Sequence, residues 1–177
     1  MSYYRDQLEN YLKTLDVKAD LVLDIGGQQK PIQGRTKNWD VKKCLILDKP
    51  EFDLEIPDTL HGYNADWVFC LEVFEYLIEP VTAMKNIAAC LKVGGKAIIS
   101  FPLIYPVHNE VEFDSLRYTL GGIKRLAEKA KLVVKNVTTR KAKSKTLVNY
   151  YNEDGMKAAK GLDHNITGYI VELQAWF

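Results

Sequence analysis

An excess of charge of either sign is missing from this chain. Its 177 residues hold 24 Lys and Arg against 23 Asp and Glu, a formal net charge of +1. Without a basic surplus, nothing global draws it to nucleic acid or to anionic lipid. Long apolar runs are missing too: none approaches the roughly 18 residues that span a bilayer, and the polar start from Met1 to Glu9 does not read as a secretion signal. Cysteines are few. Cys44, Cys70 and Cys90 are odd in number, lack metal-type spacing and each sit in an apolar segment. They read as reduced, buried thiols of a cytoplasmic protein. His61 and His164 have no partners at metal-ligand spacing, so no metal is expected. Internal repeats, low-complexity tracts and linkers are absent, which leaves one domain over residues 1–177.

The elements that are present alternate. Tyr4, Leu8, Leu12 and Leu15 fall on one face of a helix near 3–15, within an N-terminal segment 1–18. Apolar runs predict strands over 21–25, 43–47 and 66–71. Residues 28–42 read as loop, and 49–64 as turns with a short strand over 53–56. Pro80 suits the first turn of a helix striped by Val81, Met84, Ile87, Ala88 and Leu91, which Gly94-Gly95 would end before a strand at 96–101. Thr119 suits an N-cap for a helix that buries Leu120, Ile123, Leu126, Ala127 and Ala130. Strands over 132–137 and 169–177 complete the pattern, the last one antiparallel in expectation. The fold class that follows is α/β: a mostly parallel sheet between helical layers, with an antiparallel C-terminal strand.

The most informative stretch is Leu21-Val22-Leu23-Asp24-Ile25-Gly26-Gly27-Gln28-Gln29-Lys30-Pro31. Glycines leaving a buried strand bring backbone N–H groups to the carboxyl end of the sheet, where open α/β sheets bind ligands. A dinucleotide fingerprint is not met, because Gln28 and Pro31 stand where its second and third glycines belong.

Four stretches together resemble one family, the small single-domain class I S-adenosylmethionine-dependent methyltransferases of the type 11 kind. Val22 to Pro31 resembles the family's opening Leu-Asp-apolar-Gly-x-Gly-x-x-Pro motif. Cys70 to Pro80 is similar to the segment after its fourth strand, with Tyr76 in place of the usual histidine. Leu91 to Lys96 is similar to its Leu-Lys-Pro-Gly-Gly turn. Phe101-Pro102 with His108, Asp114, Arg117, Tyr118 and Thr119 resembles a Pro…His…Asp-x-x-Arg-Tyr-Thr pattern. The best match covers 20–135, leaving 136–177 as C-terminal strands and loop. The resemblance implies a Rossmann-like three-layer sandwich, reduced at the edge where the unit between Asp48 and Asp53 is nearly absent.

It also implies roles. Asp24 would lie near the amino group of the cofactor's methionine, with Gly26, Gly27 and Gln28 as the loop beneath. Asp48, followed by Lys49, would take the ribose hydroxyls. Asp53 and Leu54 would meet the adenine edge, and Cys70, Leu71 and Glu72 would line the space beside the methyl group. Read as residues alone, Asp24 equally suits a turn cap, and Asp48 a surface ion pair with Lys43 or Lys49.

On the acceptor side, His108 could take a proton from an acceptor, or simply fix its loop. Arg117 could bind an acceptor anion, or hold Asp114 or Glu112. Tyr76, Tyr105 and Tyr118 could wall the sulfonium and acceptor, or merely pack. Arg140, Lys141, Lys143 and Lys145 form a basic run that reads as a solvated loop, with contact to an anionic acceptor as the other option. The resulting expectation is methyl transfer from S-adenosylmethionine to an oxygen or nitrogen of a small molecule or saccharide. The alternative is a non-catalytic binding or regulatory module on the same fold. An exposed strand at the shortened edge could support a homodimer.

Overall fold

A computed structural model of the chain describes residues 3–105, 114–141 and 166–175. Helix α1 (Tyr3–Leu12) forms where Tyr4, Leu8 and Leu12 recur every four residues, and all three are buried. Strand β1 (Asp16–Ile25) begins by alternating, with Val17 and Ala19 buried between exposed Asp16, Lys18 and Asp20, and ends in an apolar run. Strand β2 (Asn38–Leu47) lies parallel to it. Both strands are ten residues long, so the expected spans 21–25 and 43–47 are only their second halves. Residues 38–42 are therefore strand and not loop: Trp39 and Val41 turn towards the core, while Asn38, Lys42 and their neighbour Lys43 stay exposed. The polar half of an edge strand hides it from a search for apolar runs.

Strand β3 (Ala65–Cys70) follows a stretch of turns. Residues 53–56 belong to those turns and not to the short strand expected there: the Asp53 side chain accepts the Glu55 N–H at 2.9 Å, which curls the chain. Helix α2 (Pro80–Cys90) starts at its proline and buries Met84 and Ile87. Gly94-Gly95 does not end this helix. The helix stops at Cys90, and strand β4 (Leu91–Pro102) already pairs Leu91 with Ala65 before a register shift. A Cβ on Gly95 would come within 2.9 Å of the carbonyl oxygens of Ala65 and Lys92, so the glycine serves that irregularity. Helix α3 (Leu120–Lys129) is capped as expected, with the Thr119 Oγ accepting the Gly122 N–H at 3.1 Å. Strands β5 (Leu132–Lys141) and β6 (Ile166–Ala175) close the sheet.

The sheet order is β2-β1-β3-β4-β6-β5, parallel from β2 to β4, with β6 antiparallel to both β4 and β5. Among the described residues no strand pairs with the outer side of β2, the reduced edge that the resemblance implies. One face packs Leu23, Val68, Ile99 and Val171 against α2 and α3; the other packs Val22, Phe69, Ile98 and Ile170 against α1. Each fully buried side chain of this size contributes about 1.5–3 kcal/mol. The consequence for function is positional: β1, β2, β3 and β4 all end at the same rim.

Candidate functional site

At the β1–β2 end of that rim the chain makes a tight glycine turn. The Gly26 N–H donates to the Leu47 carbonyl at 2.9 Å, tying the turn to the end of β2. Gly26 has φ of 75°, and a Cβ there would fall 2.3 Å from Val73 Cγ2. A Cβ on Gly27 would fall 2.2 Å from Asp24 Oδ2. That carboxylate is buried under the loop, where Oδ2 accepts the Ile32 N–H at 2.7 Å. Burial pushes the Asp24 pKa up to about 6, against the pull of the Ile32 hydrogen bond and the Arg35 charge. Asp24 thus does what a turn-holding acid does, from beneath the loop.

Asp48 faces outward by comparison. Its Oδ2 accepts the Gln28 N–H at 3.2 Å and its Oδ1 the Lys49 N–H at 2.9 Å. It borders an open cleft of about 460 Å³ together with Gln28, Ile46, Leu47, Phe52 and Tyr63. Cleft volumes of this order suit small ligands. A carboxylate with spare lone pairs beside two aromatic rings can accept a pair of hydroxyls and stack a flat base. The Gln28 side chain is exposed at the rim.

The β4–β6–β5 end is closed. Glu72 adopts φ of 58°, and its N–H donates to Ser100 Oγ at 2.7 Å. Its Oε1 accepts from Ser100 Oγ at 2.7 Å and from Arg140 Nη1 at 2.6 Å. Arg140 is fully buried; its Nε and Nη2 donate to the Tyr4 carbonyl, and it stacks on the Tyr4 ring, 3.0 Å from the centroid. This corrects the reading of Arg140 as part of a solvated basic loop: it belongs to β5, and its charge is used internally. Lys141 is exposed, while Lys143 and Lys145 lie outside the described residues.

Beside this pair, Arg117 binds both oxygens of Asp114, and its Nη2 reaches the Tyr105 carbonyl at 3.3 Å. Arg117 therefore takes the loop-holding option left open by the sequence. The Tyr118 hydroxyl donates to the Phe74 carbonyl at 2.7 Å, and its ring packs edge-on to Phe101. Tyr105 packs on Tyr4, with ring centroids 4.7 Å apart, and Tyr76 is 36% exposed at the surface. Glu75 is buried between these groups, with Oε2 lacking a hydrogen-bond partner among the described residues. Burial first, then the Glu72 charge, push its pKa up to about 8.

The predicted cofactor residues thus divide. Gln28 and Asp48 come together at the cleft, while Gly26 and Gly27 form the turn leading to it, packed against Val73 and Asp24. Asp53 and Leu54 do not border it: Asp53 Oδ2 pairs with Lys49 Nζ at 3.2 Å, and Leu54 is buried in the core. Phe52, next to Asp53 in sequence, and Tyr63 border the cleft instead. The clue to Phe52 was an aromatic residue isolated in a polar turn. Cys70 is buried, which raises its thiol pKa, and Leu71 packs towards α1. His108 lies outside the described residues. Glu75 and Arg140 were not singled out as site residues; the β-branched run Val137-Thr138-Thr139 was the available sign that β5 continues to 140.

No family model and no curated protein matches the chain. Solved structures do match. A methyltransferase dependent on S-adenosylmethionine from Mesorhizobium loti is 10% identical, with a TM-score of 0.61 over 97% of this chain and 97% of that one. Phosphoethanolamine N-methyltransferase 2 of Haemonchus contortus, in complex with S-adenosyl-L-methionine, is 14% identical, with a TM-score of 0.59 over 97% of this chain and 52% of that one. The chain has the fold of the class I S-adenosylmethionine-dependent methyltransferases. A cyclase also shares this class I fold, at 12% identity and a TM-score of 0.53 over 96% of this chain and 80% of that one. The fold therefore locates the site without naming the reaction.

Proposed function

We propose that this chain is an S-adenosylmethionine-dependent methyltransferase acting on an oxygen or nitrogen of a small-molecule or saccharide acceptor. The observation that carries the reading is the cleft at the ends of β1 and β2, where Asp48 is held by the Gln28 N–H beside Phe52 and Tyr63. The residues present fit the adenosine part of the cofactor. Asp48 would take the ribose hydroxyls and Phe52 and Tyr63 would flank the base, with Gly26-Gly27 folding the loop tightly onto Val73 and Asp24 beside them. Bound cofactor would supply a methyl group already activated on sulfur. The chain's part is then to align the acceptor, exclude water and accept a proton. From its place in the sequence, His108 is the proposed proton acceptor.

The second reading, a non-catalytic binding module, is favoured by Asp24, whose carboxylate is engaged under the loop and not offered to a ligand. Calorimetry with S-adenosylmethionine and S-adenosylhomocysteine comes first, and binding of neither ligand at millimolar concentration would end the methyl-transfer reading. If both bind, transfer of labelled methyl to a cell extract separates the two readings. His108→Ala should then lose most of that transfer, and undiminished transfer removes His108 from the mechanism.

A further inference from the structure

We propose that the acceptor is an amine, and that its ammonium group pairs with the buried carboxylate of Glu75. This rests on the methyl-transfer reading above and adds the class of acceptor to it. The reason is an imbalance of charge at the closed end of the rim. Among the described residues three carboxyl groups gather there, and two have a cation of their own: Glu72 holds Arg140, and Asp114 holds Arg117. Each of those pairs is neutral as a unit. Glu75 is only 2% exposed, makes no ion pair among the described residues, and has an Oε2 that accepts nothing. A buried carboxylate without a counter-ion is costly, so a group so placed either stays protonated or awaits a cation.

The surroundings select the kind of cation. Arg140 and Arg117 are committed to their own carboxylates, so an acceptor bearing phosphate or carboxylate would meet Glu75 with no free positive charge among the described residues there. A neutral hydroxyl could hydrogen-bond to Oε2 but would leave the charge uncompensated. The Tyr4 hydroxyl is a second buried polar atom with no partner among the described residues. Tyr76, next in sequence, reaches the surface, so Glu75 lies just beneath the rim.

The pairing also prepares the nitrogen. An ammonium group has no lone pair, so one N–H bond must break for it to attack. As the nitrogen attacks, this first proton would pass to a Glu75 carboxylate oxygen, forming the O–H bond of the neutral acid while the N–H electron pair stays on nitrogen; His108 then takes the second proton, the one the methylated nitrogen sheds. No further reactant is required. The resident pKa of about 8 lies much nearer to an amine than an ordinary carboxylate does.

The test is calorimetry on the complex with S-adenosylhomocysteine, which carries no sulfonium. The probes are n-butylamine and benzylamine against n-butanol and benzyl alcohol. The amines should bind at least tenfold tighter than the matched alcohols, and Glu75→Gln should abolish the difference. That variant is isosteric with the protonated acid and should fold. As a second readout, the infrared band of a protonated carboxyl, absent from the variant, should vanish when wild type is saturated with amine. Alcohols binding as well as amines, no amine binding, or a variant that keeps the preference would each overturn the proposal. Loss confined to S-adenosylmethionine affinity would instead assign Glu75 to the sulfonium and overturn it too. Wild type that fails to bind S-adenosylhomocysteine at the outset sinks the cofactor reading itself, and this proposal with it.

Discussion

The cleft beside β2 and the polar cluster beside β5 occupy the same rim of one sheet, yet they are built in opposite ways. In the cleft, Asp48 is held by two backbone N–H groups, Gln28 is exposed, and no side-chain ion pair crosses between the loops that border it, among the described residues. In the cluster, Arg140 is wholly buried and joins α1, β5 and the turn after β3 through one guanidinium. The cause is what packs on each strand. Among the described residues β2 and β5 are both edges with one neighbouring strand, but β5 also carries α1 and α3 against it. Near β5, the antiparallel pairing of β6 between β4 and β5 and the start of α1 crowd several elements together. Ligand affinity can therefore change at the cleft with little effect on the fold, whereas the cluster links stability to whatever happens beside it.

The largest effect is expected where that link is cut. Arg140→Ala leaves Glu72 without its cation and should lower the unfolding free energy by about 3–5 kcal/mol in urea denaturation. S-Adenosylhomocysteine affinity of the folded fraction should stay within about twofold, because the cleft shares no side chain with this network. Equal loss of both would erase the contrast between the two regions.

Next comes a pH dependence at Asp24. Its folded pKa of about 6 lies above the unfolded value, so the folded state holds the proton more tightly. Stability from this group is full below the unfolded pKa of about 3.9 and is lost as pH rises through 6. The stability of wild type minus that of Asp24→Asn should fall by about 2 kcal/mol between pH about 4 and 7. A flat difference profile would show that the carboxylate is not sheltered beneath the loop.

A smaller energy, confined to the ligand, is expected at Asp48. Asp48→Ala should weaken S-adenosylhomocysteine about 30-fold, or about 2 kcal/mol, with stability within about 0.5 kcal/mol of wild type. Smallest of all, Gln28→Gly should change that affinity by less than about threefold, since the side chain already stands at the exposed rim. A large gain on removing Gln28 would mean that it obstructs the loop.

Much of this was legible because it lies in short-range pattern. The glycine turn after β1, the Thr119 cap and the apolar ends of the central strands each depend on neighbours a few residues away. The missing unit between Asp48 and Asp53 could be read only through the family resemblance, which implies what usually stands between them. The polar halves of β1 and β2 were not, because an edge strand shows only alternation, and Lys18 or Lys42 counts against it in any apolar tally. Arg140 was misread for a related reason: a basic run looks solvated until the partner is known, and Glu72 stands 68 residues away. Phe52 and Tyr63 border the cleft in place of Asp53 and Leu54 because the curl at Asp53 reverses which side chains face it. That curl is a matter of backbone geometry, which residue types alone leave open.

The contact between Arg140 and the Tyr4 carbonyl spans 136 residues. A chain made from its N-terminus exposes α1 long before its clasp exists, and contacts between distant residues form slowly. Until β5 emerges, the turn that carries Glu72 and Glu75 has no guanidinium to rest against. Order around the turn with Glu72 and Glu75 is therefore acquired late in synthesis, and the nascent protein can complete its cleft well before the other end of the rim.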